Sequence, residues 1–444
     1  MTELEKFIKG LKELTPSEDI DIVTARRIVN EINKFLFTTH NDIGTVFALG
    51  RNYQYFSNFH KYWDKNYKDI LNVIIDDEQC KKVAIELHTI FVRTRGKAFE
   101  DIYDTYGLNY KEICRVRFLT ANQDFRGSRS FEDLTNRYKD DPSIFDVNII
   151  NESPESFIKN IGISNLSQND KRISYAKKIT SFLLEKNINE PYELINYYEN
   201  DVLKLKNDLL SYQGSGYGNK KIDMFIRDMI VLGVWKNVIN FESINVASDV
   251  NTIKVALRTG ILKTSIPLVS SFLDFFGVQY SYIDDMSAQA WRRVWEKWKE
   301  LYPTETISSP CLLDYLIYNV IGRTMCKEGL VKYKCDTYNH EFFWHTSRNK
   351  TCQICYKNGQ RNTAHVIRRQ LPCDIEEGLV YIKETEFYKS NICVPNISSC
   401  PFKEICNEYN NKTLQAPKSI SIEGATGWSS AYTDDKSGGG GLMS

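Results

Sequence analysis

Three sets of residues have the types and spacing that chemistry could use. In the first, Gly214, Gly216 and Gly218 alternate and are followed at once by Lys220 and Lys221. Alternating glycines let the backbone turn with positive φ and leave its N–H groups unshielded. Ile222, Phe225, Ile226 and Met229 recur at i, i+3, i+4 and i+7 and predict a helix directly behind the turn. Bare amides at a helix start favour an anion, because the free donors and the helix dipole point the same way. The same dipole disfavours a cation in the first turn. An amine held there sheds its proton more readily, as a nucleophilic lysine requires. In the second set, Asp249 precedes Ile253, Val255, Ala256 and Leu257, a short apolar helix. An aspartate there is most simply a cap, and it is also a carboxylate able to stabilise growing positive charge. The third set is the cysteines, which cluster late in the chain and include Cys352-x2-Cys355, a spacing that lets two thiolates on one tight turn grip one ion.

Glycine turn, lysine and later aspartate together resemble the helix-hairpin-helix DNA glycosylases of the endonuclease III superfamily. Gly216-Tyr217-Gly218-Asn219-Lys220 is similar to the G-V-G-x-K part of that family's hairpin, and Ser248-Asp249-Val250-Asn251 to its V-D-T-H or V-D-V-H motif. The chain departs from the pattern at Gly214-Ser215, where the family has Leu-Pro, and at Asn251, where it has histidine. The resemblance implies that Lys220 is a Schiff-base nucleophile and Asp249 the catalytic carboxylate. It implies that Gly214, Gly216 and Gly218 hold a DNA phosphate, with a bound monovalent cation at the hairpin, while Lys221 faces the phosphates. The segment R-F-L-T-A-N-Q-D-F resembles the family's L-L-S-A-Q-x-T-D, so Asn122 or Gln123 would fill the gap left by an extruded base. The expected activity is excision of a damaged or modified base from double-stranded DNA, with strand cleavage by β-elimination. Two other enzymes fit the same residues: a monofunctional glycosylase, and a defence enzyme acting on hypermodified bases of invading DNA. A non-catalytic DNA-binding module is the alternative of a different class.

Such residues need helices to position them. Ser153 and Pro154 read as an N-cap and first helical position, with Gly162 as the stop. Ile173, Ala176, Ile179 and Leu183 mark the next helix, and Trp291, Val294, Trp295, Trp298 and Leu301 a later one whose tryptophans suit a core better than a stacking platform. Leu312, Leu316, Ile317 and Val320 predict a helix ending near Gly322. Further stripes lie in 22–36 and 55–63. The expected fold is mostly α, a helix-hairpin-helix glycosylase fold of two helical subdomains. Its parts are an N-terminal helical extension (1–108), the hairpin domain (109–262), and a C-terminal helical domain (263–413) carrying a small metal-stapled insertion (327–392). A flexible tail (414–444) closes the chain.

The resemblance extends to the cysteines. G-R-x-x-C at 322–326 is similar to the entry of the family's iron–sulfur loop, and Cys400-x5-Cys406 keeps its last spacing. A 4Fe–4S cluster on Cys326, Cys393, Cys400 and Cys406 is implied, or zinc on the same ligands. Within the insertion, Cys335, Cys352, Cys355 and Cys373 form the simplest tetrahedral zinc set, and His340, His345 or His365 could replace a cysteine.

The chain has 444 residues, enough for two or three domains. Its 57 basic and 57 acidic residues cancel, so any DNA contact must come from a local patch. The charged start MTELEKFIKGLKEL is unlike a signal peptide. No run approaches a membrane span. A cytoplasmic, nucleoid-associated monomer is the expectation.

Overall fold

A computed structural model describes residues 1, 3–14, 45–48, 51–54, 68–69, 71–100, 104–125, 129–163, 169–264, 280–325, 330–344, 351–370, 380–381, 400–402 and 404–406. The chain is mostly helical and forms two compact units. Among the described residues, one comprises those of 1–98, 248–306 and 314–406; the other comprises those of 99–247 and 307–313. Lys220 therefore belongs to the second unit and Asp249 to the first. The apolar stripes at 22–36 and 55–63 and the expected tail lie outside the described residues.

The first unit begins with α1 (Glu3–Leu14) and a hairpin of β1 (Thr45–Ala48) and β2 (Arg51–Gln54), in which Thr45 pairs with Gln54. This hairpin was not expected in a helical extension. After β3 (Ile74–Ile75), the Asp76 side chain accepts the Gln79 N–H and starts α2 (Asp77–Thr94). Left-handed Arg95, at φ 52°, ends it. Cys80, Val83, Ala84, Leu87 and Ile90 form its buried face.

The second unit is a run of short helices. Asn109 and Glu112 make a reciprocal capping box at the start of α3 (Tyr110–Ala121). Then come α4 (Phe131–Asp140), α5 (Val147–Glu152), α6 (Pro154–Asn160) and α7 (Asn169–Glu185). Ser153 is the N-cap of α6 as expected, but its hydroxyl meets the Ser156 hydroxyl at 2.8 Å instead of a backbone N–H. Next are α8 (Leu194–Tyr197), α9 (Val202–Ser211) and α10 (Asn219–Val231). Phe118, Tyr217, Phe225 and Trp235 pack together beneath them.

A buried ion pair to α9 and a longer one to α3 fasten α10. Lys206 of α9 holds Asp223 at 2.6 Å, and Arg227 holds Asp228 at 2.7 Å, with Arg117 of α3 at 3.5 Å from the same carboxylate. Cutting a buried pair leaves an uncompensated charge and typically costs about 3–5 kcal/mol. The helix behind the glycine turn is thereby fastened on two sides.

The first unit resumes at α11 (Val250–Arg258), and β4 (Leu262–Lys263) pairs antiparallel with β3. Helix α12 (Tyr280–Leu301) packs on α2, where Trp298 meets Phe91 edge to face, and Trp291, Trp295 and Trp298 are all buried, so the tryptophans are core. Arg293 of α12 also grips the Asp77 carboxylate with both arms, at 2.8 and 2.6 Å.

The helix expected to end near Gly322 is different in kind. A 3-10 turn at Pro310–Leu313 is followed by a π-wound segment, Tyr315–Met325, that runs through Gly322. Beyond it, the insertion contains strands: β5 (Leu330–Cys335), β6 (Glu341–Trp344), helix α13 (Gln353–Lys357), β7 (Ala364–Gln370) and β8 (Val380–Tyr381). The sheet order is β7-β5-β6-β8, with only the β6–β8 pair parallel.

Candidate functional site

Between α9 and α10 the chain turns as the glycines predict. Gly214 and Gly216 lie at φ +80° and +77°. Gly218 is extended at φ −103° and serves as the N-cap of α10 without any side-chain cap hydrogen bond. The first turn of α10 thus receives no cap from the Gly218 position, and its N–H groups can meet an anion. Gly216 is the position with no room: a Cβ would sit 2.4 Å from the Tyr175 ring. Gly216→Ala is expected to lower stability by about 1–3 kcal/mol, since it adds left-handed strain to a clash. Urea unfolding beside Gly218→Ala, where a Cβ meets nothing within 4 Å, checks this.

The two lysines behind the turn differ. Lys220 is exposed. Lys221, expected to face the phosphates, instead turns inward: its amine donates to the Asn122 carbonyl at 2.9 Å and lies 5.0 Å from the centre of the Phe125 ring. Desolvation there lowers its pKa to about 8, and the nearby cations Lys171, Lys220 and Arg172 add to the effect against the pull of Asp124. Arg172 also lies over the Phe125 ring, 3.7 Å from its centroid, and Lys171 lies 5.7 Å from that of Tyr175. Four cations thus gather beside the hairpin in a chain of zero net charge.

A sign follows for stability. An unfolded lysine keeps its proton to about pH 10.4, whereas folded Lys221 releases it near 8. Between those values the unfolded state binds more protons, so stability rises with pH. Relative to Lys221→Met, the wild type should gain stability on going from about pH 7 to about pH 9.5, measured by denaturant unfolding. Parallel behaviour of the two proteins would remove Lys221 as a perturbed amine.

Asn122 and Gln123 require a correction. One or the other was expected to fill the gap left by an extruded base, yet they are 0% and 2% exposed. The Asn122 amide donates to the carbonyls of Ser215 (2.9 Å) and Tyr175 (3.2 Å). Gln123 donates to the Arg172 carbonyl at 3.2 Å, and Arg172 returns a bond to the Gln123 carbonyl at 2.8 Å. Burial turns these amides into ties that fix the end of α3 to the hairpin and to α7. They have no exposed face with which to fill a gap in a duplex.

In the first unit, Asp249 caps α11. One carboxylate oxygen accepts the N–H groups of Asn251 (2.8 Å) and Thr252 (3.0 Å), while the other accepts the Asn251 side-chain amide (3.1 Å). The Thr252 hydroxyl closes the box on the Asp249 N–H at 2.7 Å. Asn251, the residue that departs from the histidine motif, is therefore a partner of the carboxylate. Gly322 also bears on it: a Cβ there would come within 2.9 Å of the Asn251 carbonyl. The π-wound segment passes this close to the Asp249 motif only because position 322 has no side chain.

The insertion brings four donors together. Cys335, His340, Cys352 and Cys355 place one ligand atom each within 4.8 Å of one another, a group that could hold a metal ion. His340 stands where Cys373 was expected; Cys373 and His345 lie outside the described residues. His365 is not in the group, being paired with Asp336 at 2.6 Å. Of the iron–sulfur set, Cys326 and Cys393 lie outside the described residues, Cys400 is buried and Cys406 half-buried. Among the described residues no helix is long and apolar enough to cross a membrane. No family model matches the chain, and no curated protein matches it.

Proposed function

We propose that the protein is a DNA glycosylase with an associated abasic-site lyase activity. The observation that carries this reading is the hairpin: an uncapped helix start with Lys220 exposed in its first turn and Lys171, Arg172 and Lys221 gathered beside it. A pure DNA-binding turn needs phosphate donors and has no use for an amine poised for attack, or for the downstream aspartate of the same motif pair.

A base within a duplex is out of reach, so its nucleotide must be extruded. The α10 amides would hold a flanking phosphate, with a monovalent cation at the turn. As the bond to the base breaks, positive charge grows on the sugar, and the Asp249 carboxylate would stabilise it. The Lys220 amine would attack the anomeric carbon, the electron pair of the glycosidic bond leaving with the base. Loss of a proton from nitrogen and opening of the sugar give an imine. The imine acidifies the neighbouring C–H, and its loss expels the 3′ phosphate by β-elimination. Cys326, Cys393, Cys400 and Cys406 would hold a 4Fe–4S cluster with a structural role, since soft thiolates in fours suit one.

A second reading of the nucleophile is favoured by one observation: burial brings the Lys221 amine to a pKa near 8, where it is readily neutralised. The overall proposal is tested by incubating the protein with duplexes bearing damaged, methylated or hypermodified bases and with abasic-site duplex. Release of at least one base together with strand cleavage at the abasic site is expected. Duplex binding with neither reaction would leave a non-catalytic hairpin module. Release of a hypermodified base alone would favour defence over repair.

A further inference from the structure

We infer that Cys335, His340, Cys352 and Cys355 form a closed zinc site, with the Nδ1 atom of His340 as the fourth ligand. The distances select the ion. The Cys335 and Cys355 sulfurs are 3.8 Å apart, and His340 Nδ1 lies 3.9 Å from the Cys352 sulfur and 3.7 Å from that of Cys355. A tetrahedron with metal–sulfur bonds of about 2.3 Å has edges of about 3.8 Å. The sulfurs are too far apart for a disulfide, whose bond is about 2 Å. An iron–sulfur cube would occupy the space between its ligands and spread them further. Three thiolates and one imidazole are a donor set that zinc takes in structural sites, and four protein ligands leave no open position for catalysis.

The surrounding backbone is built to hold these donors. The Cys335 N–H donates to the His340 carbonyl at 2.8 Å, closing the β5–β6 turn, which Asn339 completes at φ +55°. The Tyr338 N–H points at the Cys335 sulfur at 3.5 Å, and the Tyr338 ring stacks on that of His340. Cys352 opens α13, which carries Cys355 on its first turn, and the Cys352 N–H is fixed by the Asn362 carbonyl at 2.7 Å. Tyr333, Phe342 and Ala364, with three of the ligands, make the module's small core. A core of that size needs a staple, and the ion supplies one. The site is independent of the proposed hairpin chemistry.

Elemental analysis of the full-length protein should find about one zinc per chain besides any iron. In Cys352→Ser/Cys355→Ser the zinc should fall to near zero with the iron unchanged, whereas Cys373→Ser should retain it. Cobalt(II) exchanged into the wild type, a measurement that needs no variant to fold, should give the absorption of a tetrahedral ion with thiolate charge transfer. Chelation should expose the β5–β7 amides to hydrogen exchange while those of α10 stay protected. Zinc unaffected by the double substitution would overturn the site. So would its loss in Cys373→Ser, loss of iron in place of zinc, or an octahedral cobalt spectrum.

Discussion

Lys220→Gln is expected to lower strand cleavage at abasic sites about 1,000-fold or more while leaving affinity for the same duplex within a few-fold. A nucleophile that forms a covalent intermediate cannot be replaced by a neutral amide, so the loss falls on the chemical step. The fold should be indifferent, because Lys220 is exposed and glutamine is about as good a helix former as lysine. Lys221 supplies the matched control. Its amine is bonded to the Asn122 carbonyl, so Lys221→Gln should disturb the join between α3 and the hairpin. Should cleavage survive in Lys220→Gln and vanish in Lys221→Gln, the inward lysine is the nucleophile, and its lowered pKa is the reason.

Asp249→Asn should reduce base release about 100- to 1,000-fold, the scale seen when one electrostatic stabiliser of a charged transition state is removed. The structure allows this loss to be separated from a folding defect. Asparagine caps a helix about as well as aspartate, so its oxygen can still accept the Asn251 and Thr252 N–H groups. Only the bond from the Asn251 amide to the second carboxylate oxygen must be lost, worth about 1 kcal/mol. Melting temperature should therefore change little while base release collapses. Unchanged release would reduce Asp249 to the cap that its position in α11 already explains.

Much of the local structure was legible because it depends on neighbours in sequence. Ile222, Phe225, Ile226 and Met229 announce α10, and they are buried. The glycines announce the left-handed turn, although only Gly214 and Gly216 adopt it. What escaped depends on contacts distant in sequence. The inward turn of Lys221 and the burial of Asn122 and Gln123 come from α3, α7 and the hairpin packing together, and no spacing encodes that. Gly322 was read as a helix stop, yet its role is to admit the Asn251 backbone from some seventy residues earlier. The β5 strand could have been found: Val331, Tyr333 and Cys335 alternate with Lys332 and Lys334. His340 as a ligand could not be separated from His345 and His365 until β5 and β6 were paired, which brings it to Cys335 across one turn.

The most direct test of the hairpin chemistry is to treat the protein and an abasic-site duplex with borohydride, then map the reduced adduct by peptide mass spectrometry. The account predicts a covalent protein–DNA species whose modified peptide carries the sugar remnant on Lys220. No adduct, or an adduct on a lysine outside the hairpin, would contradict it.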